Sequence, residues 1–419
     1  MLICKQKYDI ISVMSEMEQN DHRKLGRQLD LFTFSDLVGA GLPLWTPRGT
    51  LVCNLLDEYV WTLRKEHGYE RVRIPHITKK DLYVTSGHWD KFKDDLFHIV
   101  TREDDEFALK PMNCPHHIQI FDRRPHSYRE MPQRYTETTM VYRDEQSGEL
   151  NGLSRVRAIN MDDAHTFCRE AQVKEEAVKV LGMIREFYKS FGFTLRVRLS
   201  FRDGEHPEKY LGDTKRWENS EKILREVAKE NDIETFDGPG EAAFYGPKLD
   251  FMAKDSLERE WQVATIQIDM NMPERFDLTC INERGEKERI VMIHAAIMGS
   301  IERFLSVILE HLGGNLPLWL SPVQVKVIPV RTNHNEYAKK VFDMLKENNI
   351  RAELDEKDEN LGSKVRDAKT NKVPYWIVIG DKEMEANKIT LESRDSGNLG
   401  QIGKEELVSK LLEEIKNKK

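Results

Sequence analysis

At 419 residues the chain is too long for one ordinary domain, and its length predicts two, each burying its own core. Hydrophobic residues make up 39% and charged residues 32%, mean hydropathy is -0.61, and no apolar run approaches the ~20 residues that cross a bilayer, which argues against a membrane protein. A net charge of -8 argues against nucleic-acid binding by bulk electrostatics, so any RNA contact must use local basic surface.

The first twenty residues mix Lys5, Lys7, Asp9, Glu16 and Glu18 among short apolar pairs. They have neither a signal-peptide core nor a transit-peptide composition, and predict a short N-terminal extension on a cytoplasmic protein. Five cysteines lie far apart without framework or zinc-ribbon spacing, which predicts reduced thiols. The segment Gly68 to Pro75 follows an amphipathic helix, and Lys110 to Pro115 reads KPMNCP.

Arg134 to Arg157 reads as a hairpin: an apolar stretch ends in Arg143, a polar turn holds Ser147-Gly148 and Asn151-Gly152, and Arg155 and Arg157 alternate on the return. The planar guanidinium fork suits phosphate because it stays ionised and gives two parallel hydrogen bonds. Salt-bridged surface hairpins share this composition. Asp162-Asp163-Ala164-His165 follows, and Glu175 to Phe191 carries apolar residues at helical spacing. Glu241 to Ala253 and Trp261 to Met270 read as strands joined too briefly for a parallel crossover, which predicts an antiparallel pair. Met292-Ile293-His294 precedes a predicted long helix over Ala296 to Leu312, and Gly313 to Pro317 breaks it.

Beyond a boundary placed at 320/321, strands and helices alternate. Val323 to Val330, Arg351 to Leu354, Pro374 to Ile379 and Lys388 to Glu392 read as strands, with helices over Glu336 to Asn349, Ser363 to Lys369 and Lys404 to Lys416. From Val323 to Lys419 there are 19 Lys+Arg and 18 Asp+Glu, so this part is less acidic than the rest.

Three segments in order, Gly68 to Pro75, Arg134 to Arg157 and Gly299 to Phe304, resemble motifs 1, 2 and 3 of class II aminoacyl-tRNA synthetases. KPMNCP, DDAH and Met292 to His294 resemble, more narrowly, the threonyl-tRNA synthetase family. The likeness covers Asp21 to Lys419. It implies an α+β fold: a class II antiparallel sheet flanked by helices over 21–320, and an α/β anticodon-binding domain with a mixed sheet over 321–419. It implies the ligation of L-threonine to tRNA(Thr) with ATP, by a homodimer.

The same resemblance nominates residues. Cys114, His165 and His294 match a zinc-binding trio; at 51 and 129 residues apart they carry no local spacing signature of their own. Arg143 and Arg303 match catalytic arginines that also contact ATP, and Glu145, Arg155, Gln262 and Thr265 match further ATP-binding positions. Met112, Asp163, Tyr245, Lys248 and Gln267 match the threonine pocket, Glu385 and Arg394 anticodon contacts, and Pro75 the dimer interface. One Zn²⁺ per chain and Mg²⁺ with ATP are the implied cofactors.

The match has departures. Ile159 stands where many relatives stack a phenylalanine on adenine, Met161 where many have glutamine, and Asp358 where an asparagine often reads the anticodon; motif 3 opens His294-Ala295 rather than His-Arg. No two of the 13 histidines are four residues apart, so the His-x-x-x-His pair of the family's editing domains is not expected in this chain. A synthetase-like protein without catalysis, or a prolyl or seryl class II synthetase, would share the general motifs; the metal trio and both motif arginines oppose the first, and KPMNCP and DDAH the second.

Overall fold

The computed structural model describes residues 20–418, so the predicted extension over residues 1–20 lies, but for its last residue, outside the described residues. Two compact units emerge, one of Phe34–Pro43 and Asp57–Val307, the other of the described residues up to Thr33, Leu44–Leu56 and the chain from Ile308 on. Among the described residues no helix is long and apolar enough to cross a membrane.

The larger unit is organised by an eight-stranded sheet. In chain order its strands are β1 (Glu70–Arg71), β2 (Gln133–Tyr142), β3 (Ala158–Cys168), β4 (Leu195–Phe201), β5 (Thr235–Pro239), β6 (Lys248–Lys254), β7 (Glu260–Asp269) and β8 (Val291–Ala296), arranged β5-β4-β6-β7-β8-β3-β2-β1. Every central pair is antiparallel, and only the edge pairs β5/β4 and β1/β2 are parallel. The short 255–259 connection between β6 and β7 forms the predicted antiparallel pair. Helix α1 (Cys114–Asp122) carries Cys114 at its first residue. Helix α2 (Val173–Lys189) buries Val173, Ala177, Val180, Leu181, Ile184, Phe187 and Tyr188, the stripe that its 3.6-residue period predicts. Helix α3 (Thr214–Glu230) is a second long helix, capped by the Asp213 side chain on the Arg216 N–H.

One predicted helix is shorter than its apolar pattern. Ala296 ends β8, and helix α4 starts only at Ile301. Between them the Ile297 and Met298 N–H groups donate to Asp162 Oδ2, and Gly299 takes a φ of 73° that a side chain would resist. Asp162 is in turn clamped by Arg64, whose Nη2 lies 2.6 Å from Asp162 Oδ1 with both groups buried.

In the second unit, β9 (Val325–Pro329), β10 (Ala352–Leu354), β11 (Tyr375–Ile379), β12 (Ile389–Ser393) and β13 (Gly397–Ile402) form a mixed sheet in the order β10-β9-β11-β12-β13. The β9/β10 and β9/β11 pairs are parallel, the other two antiparallel. Helices α5 (Asn335–Glu347), α6 (Leu361–Thr370), α7 (Asp381–Ala386) and α8 (Lys404–Lys416) accompany it. Val325, Val327, Val341, Leu345, Ile377, Leu391, Leu407 and Leu411 share one buried core.

Candidate active site

Strand register gathers the site. His294 on β8 pairs directly with His165 on β3, Gln267 on β7 pairs with His294, and Lys248 on β6 pairs with Gln267. Directly opposed residues share a face of the sheet, so these four form one row across it. Cys114 at the start of α1 completes a group in which one donor atom each of Cys114, His165 and His294 lies within 4.8 Å of the others, all three buried. Each imidazole has one nitrogen engaged elsewhere: His165 Nδ1 lies 2.7 Å from His117 Nδ1, and His294 Nε2 lies 2.9 Å from Asp269 Oδ2. One nitrogen per ring is therefore left for a metal. A sulfur and two such nitrogens are the donor chemistry of a zinc site with three protein ligands, so the residues fit that ion. A second group of possible donors, Asp21, His22 and Glu310, is already closed by its own pairs, Asp21 with Arg23 at 2.5 Å and His22 Nδ1 with Glu310 at 2.6 Å.

The other nominated pocket residues surround the trio. The Tyr245 ring centroid lies 5.0 Å from that of His294, and its hydroxyl donates to Gln267 Oε1 at 2.9 Å. Asp163 accepts from Asn113 Nδ2 at 3.0 Å and approaches His165 Nε2 at 3.7 Å; burial pushes its carboxyl up to about 6. Met112 packs against the apolar cluster that includes Cys114 and Tyr135. Lys248 is paired with Asp250 at 3.0 Å.

A cleft is lined by all six residues nominated for ATP, Arg143, Glu145, Arg155, Gln262, Thr265 and Arg303, together with Ile159, Met161, Ala296 and Gly299. The pleat relates it to the trio. Met161, Asp163 and His165 alternate on one face of β3, Thr265 and Gln267 on β7, and Ala296 and His294 on β8, so the cleft residue Ala296 is two positions from the trio residue His294, and the cleft residue Thr265 two positions from the pocket residue Gln267, roughly 7 Å along a strand. Arg155 Nε donates to Glu145 at 2.7 Å and Arg303 Nε to the Ser154 carbonyl at 3.1 Å, while Arg143 Nε is buried with no hydrogen-bond partner among the described residues. Partial burial and the neighbouring Arg143 and Arg155 cations push the Arg303 guanidinium down from its ordinary value. Cations brought together in this way favour an anionic ligand.

Sequence reasoning missed two carboxylates and a histidine. Asp250, fully buried, binds Lys248, Arg198, Ser200, Gln262 and Thr265 and so ties both nominated pockets together. Asp269 ends the apolar strand β7, and an acid buried in such a run is the signal that would have found it. His117, three residues after Cys114 on α1, is the third.

The remaining nominees are not members of this cluster. Pro75 is exposed just after β1, and Glu385 is exposed on α7. Arg394 gives Nη1 to the Leu316 and Lys372 carbonyls and Nε to Asp395, which leaves little of its fork unspent. Asp358 is exposed.

Residues 92–312 match the model of the class II tRNA synthetase core domain (G, H, P, S and T), and residues 324–414 that of an anticodon binding domain. The chain is 45% identical over 410 residues to a threonine–tRNA ligase of Cytophaga hutchinsonii, covering 97% of this chain and 64% of that protein. It is 46% identical over 395 residues to one of Porphyromonas gingivalis, covering 94% of this chain and 60% of the relative. Thus the chain spans just over three fifths of the length of these curated relatives. A crystal structure titled as the RNA binding domain of threonyl-tRNA synthetase from Cryptosporidium parvum superposes with a TM-score of 0.89 at 36% identity, covering 94% of this chain and 98% of that one. With both family models matched in order and a relative of this identity covered almost end to end, the chain belongs to the threonyl-tRNA synthetases, a family of class II aminoacyl-tRNA synthetases.

Proposed function

We propose that this chain is a threonine–tRNA ligase: it activates L-threonine with ATP to threonyl-adenylate and transfers the threonyl group to the 3′ end of tRNA(Thr). The observation that carries the reading is the buried Cys114, His165 and His294 group on the same sheet face as the arginine-lined cleft. Residues 21–320 form the catalytic domain and 321–419 the anticodon-binding domain, with Glu385 and Arg394 as candidate anticodon contacts. The protein acts in the cytoplasm as a homodimer joined near Pro75.

In the cleft, Arg143 and Arg303 hold the ATP phosphates, Glu145, Arg155, Gln262 and Thr265 position the nucleotide, and Mg²⁺ accompanies it. The threonine carboxylate attacks the α-phosphorus in line and pyrophosphate leaves. A ribose hydroxyl of the terminal tRNA adenosine then attacks the carbonyl of the adenylate and AMP leaves. Positioning and charge neutralisation by preplaced cations lower both barriers without a covalent enzyme intermediate.

Cys114, His165 and His294 would hold a Zn²⁺, which when bound would supply a Lewis acid that recognises the amino group and side-chain hydroxyl of threonine. Asp163, Tyr245 and Gln267 close the pocket around the amino acid, beside Met112 and Lys248. Valine brings a methyl group where an oxygen is required. An apolar pocket separates such near-isosteres only about 10- to 200-fold, whereas a site built around the hydroxyl separates them far better.

Two measurements on Cys114→Ser test this: metal content and threonine-dependent ATP–pyrophosphate exchange. The wild-type chain carries about one zinc per chain, and the variant loses zinc and exchange together. A variant that keeps full exchange would show that the metal trio does not select threonine.

A further inference from the structure

His117 lies outside both the ligand group and the nucleotide cleft, yet it is fully buried against a ligand. It follows Cys114 by three residues on α1, so the helical period turns both side chains to one face. The His117 and His165 rings stand nearly perpendicular at 87°, with centroids 4.7 Å apart and Nδ1 atoms 2.7 Å apart. Two imidazole nitrogens at this distance share one proton, one N–H donating and the other nitrogen accepting.

The direction of that hydrogen bond decides whether His165 can hold a metal. A nitrogen engaged with His117 is not free to coordinate, so His165 must offer Nε2. Its Nε2 carries a lone pair only when the ring proton sits on Nδ1, and His165 then donates to His117 Nδ1. In this arrangement His117 carries its own proton on Nε2, an atom with no hydrogen-bond partner among the described residues. The opposite direction places the proton on His165 Nε2 and closes the site. The other imidazole ligand faces no such ambiguity. His294 Nε2 points at Asp269 Oδ2 at 2.9 Å, and Asp269 Oδ1 is engaged by the Asn271 and Met272 N–H groups. A carboxylate accepts, so the His294 proton is held on Nε2 and Nδ1 stays open.

We propose that His117 is a positioning residue that holds His165 in its Nδ1–H tautomer and thereby sets the zinc affinity of the trio; this rests on the zinc reading above. Its support is weaker than the Asp269 support of His294, because an imidazole can reverse its role and a carboxylate cannot.

The test is zinc affinity, measured by competition with a chromogenic chelator on metal-stripped full chain, for wild type, His117→Leu and His117→Gln, with the melting temperature of each metal-free protein. His117→Leu should bind zinc on the order of 10- to 100-fold more weakly. His117→Gln, whose amide oxygen accepts from Nδ1–H, should recover most of that loss. Metal-free His117→Leu should melt close to wild type, because the variant removes the unpartnered His117 Nε2 while leaving His165 Nδ1 without its partner, two changes of opposite sign. Wild-type zinc affinity in His117→Leu would overturn the proposal. So would a His117→Gln protein as weak as His117→Leu, or a loss of affinity matched by a loss of metal-free stability. If wild type takes up no Cys114-dependent zinc, the metal reading itself fails, and the role of His117 with it.

Discussion

Arg143, Arg155 and Arg303 converge on one cleft with Glu145 as the nearby counter-charge, so the protein without nucleotide bears a local excess of positive charge. Removing Arg303 should relieve repulsion in the free protein while removing a contact to the nucleotide. Arg303→Ala is therefore expected to lower threonine-dependent exchange by roughly 100-fold or more, the scale of losing one preorganised charge-stabilising group, while leaving the melting temperature unchanged or raised. Steady-state exchange and a thermal melt on one preparation check both halves. The arginines were legible because the Arg134 to Arg157 hairpin and Gly299 to Phe304 are local segments with a recognisable pattern. Asp250 was not, because its importance comes from five partners on three strands, β4, β6 and β7, and no local pattern announces it.

Elements show how an apolar pattern and the hydrogen-bond ledger can disagree. The residues from Ala296 on have helical periodicity, but Asp162 captures the Ile297 and Met298 N–H groups, and α4 waits until Ile301. Near the helix start Glu302 is fully buried, accepting from the Asn160 N–H and the Ser300 hydroxyl through Oε2, while Oε1 has no partner among the described residues. Burial pushes its carboxyl up to about 7. Because the folded value exceeds the unfolded one, the native state binds the extra proton, and stability is present below about 4.5 and lost as pH rises through about 7. Glu302→Gln mimics the protonated form. It should match wild type near pH 4.5 and exceed it by about 1–3 kcal/mol above pH 7, as read from denaturant melts across that range. Equal differences at both ends would show that Glu302 does not titrate there. The antiparallel pairing of β6 with β7 was legible from the brevity of its connection, whereas β13 was not. Its sequence GNLGQI is glycine-rich and largely exposed at a sheet edge, so it lacks the apolar alternation by which a strand is recognised.

For the whole molecule, the sequence carried the fold class because two distinct patterns follow one another along the chain. Neighbouring strands with short links build the eight-stranded sheet, and alternating strands and helices build the five-stranded one. Arrangement beyond a single chain is a proposal that rests on motif resemblance. The segment before Pro75 is short and edge-lying, with β1 paired to β2 over just two residues, a weak surface strand that a partner would reinforce. Sedimentation at micromolar concentration should give a dimer, and Pro75→Asp should shift it toward monomer; a wild-type monomer would remove the dimer from this account. Whether a metal group beside a phosphate clamp chooses the amino acid is decided by ATP–pyrophosphate exchange with threonine, serine and valine, each with and without a zinc chelator. Exchange is expected with threonine and serine, almost none with valine, and both active reactions should be lost on chelation and restored by added zinc. Chelator-resistant threonine exchange, or valine exchanged as readily as threonine, would contradict a metal-based choice.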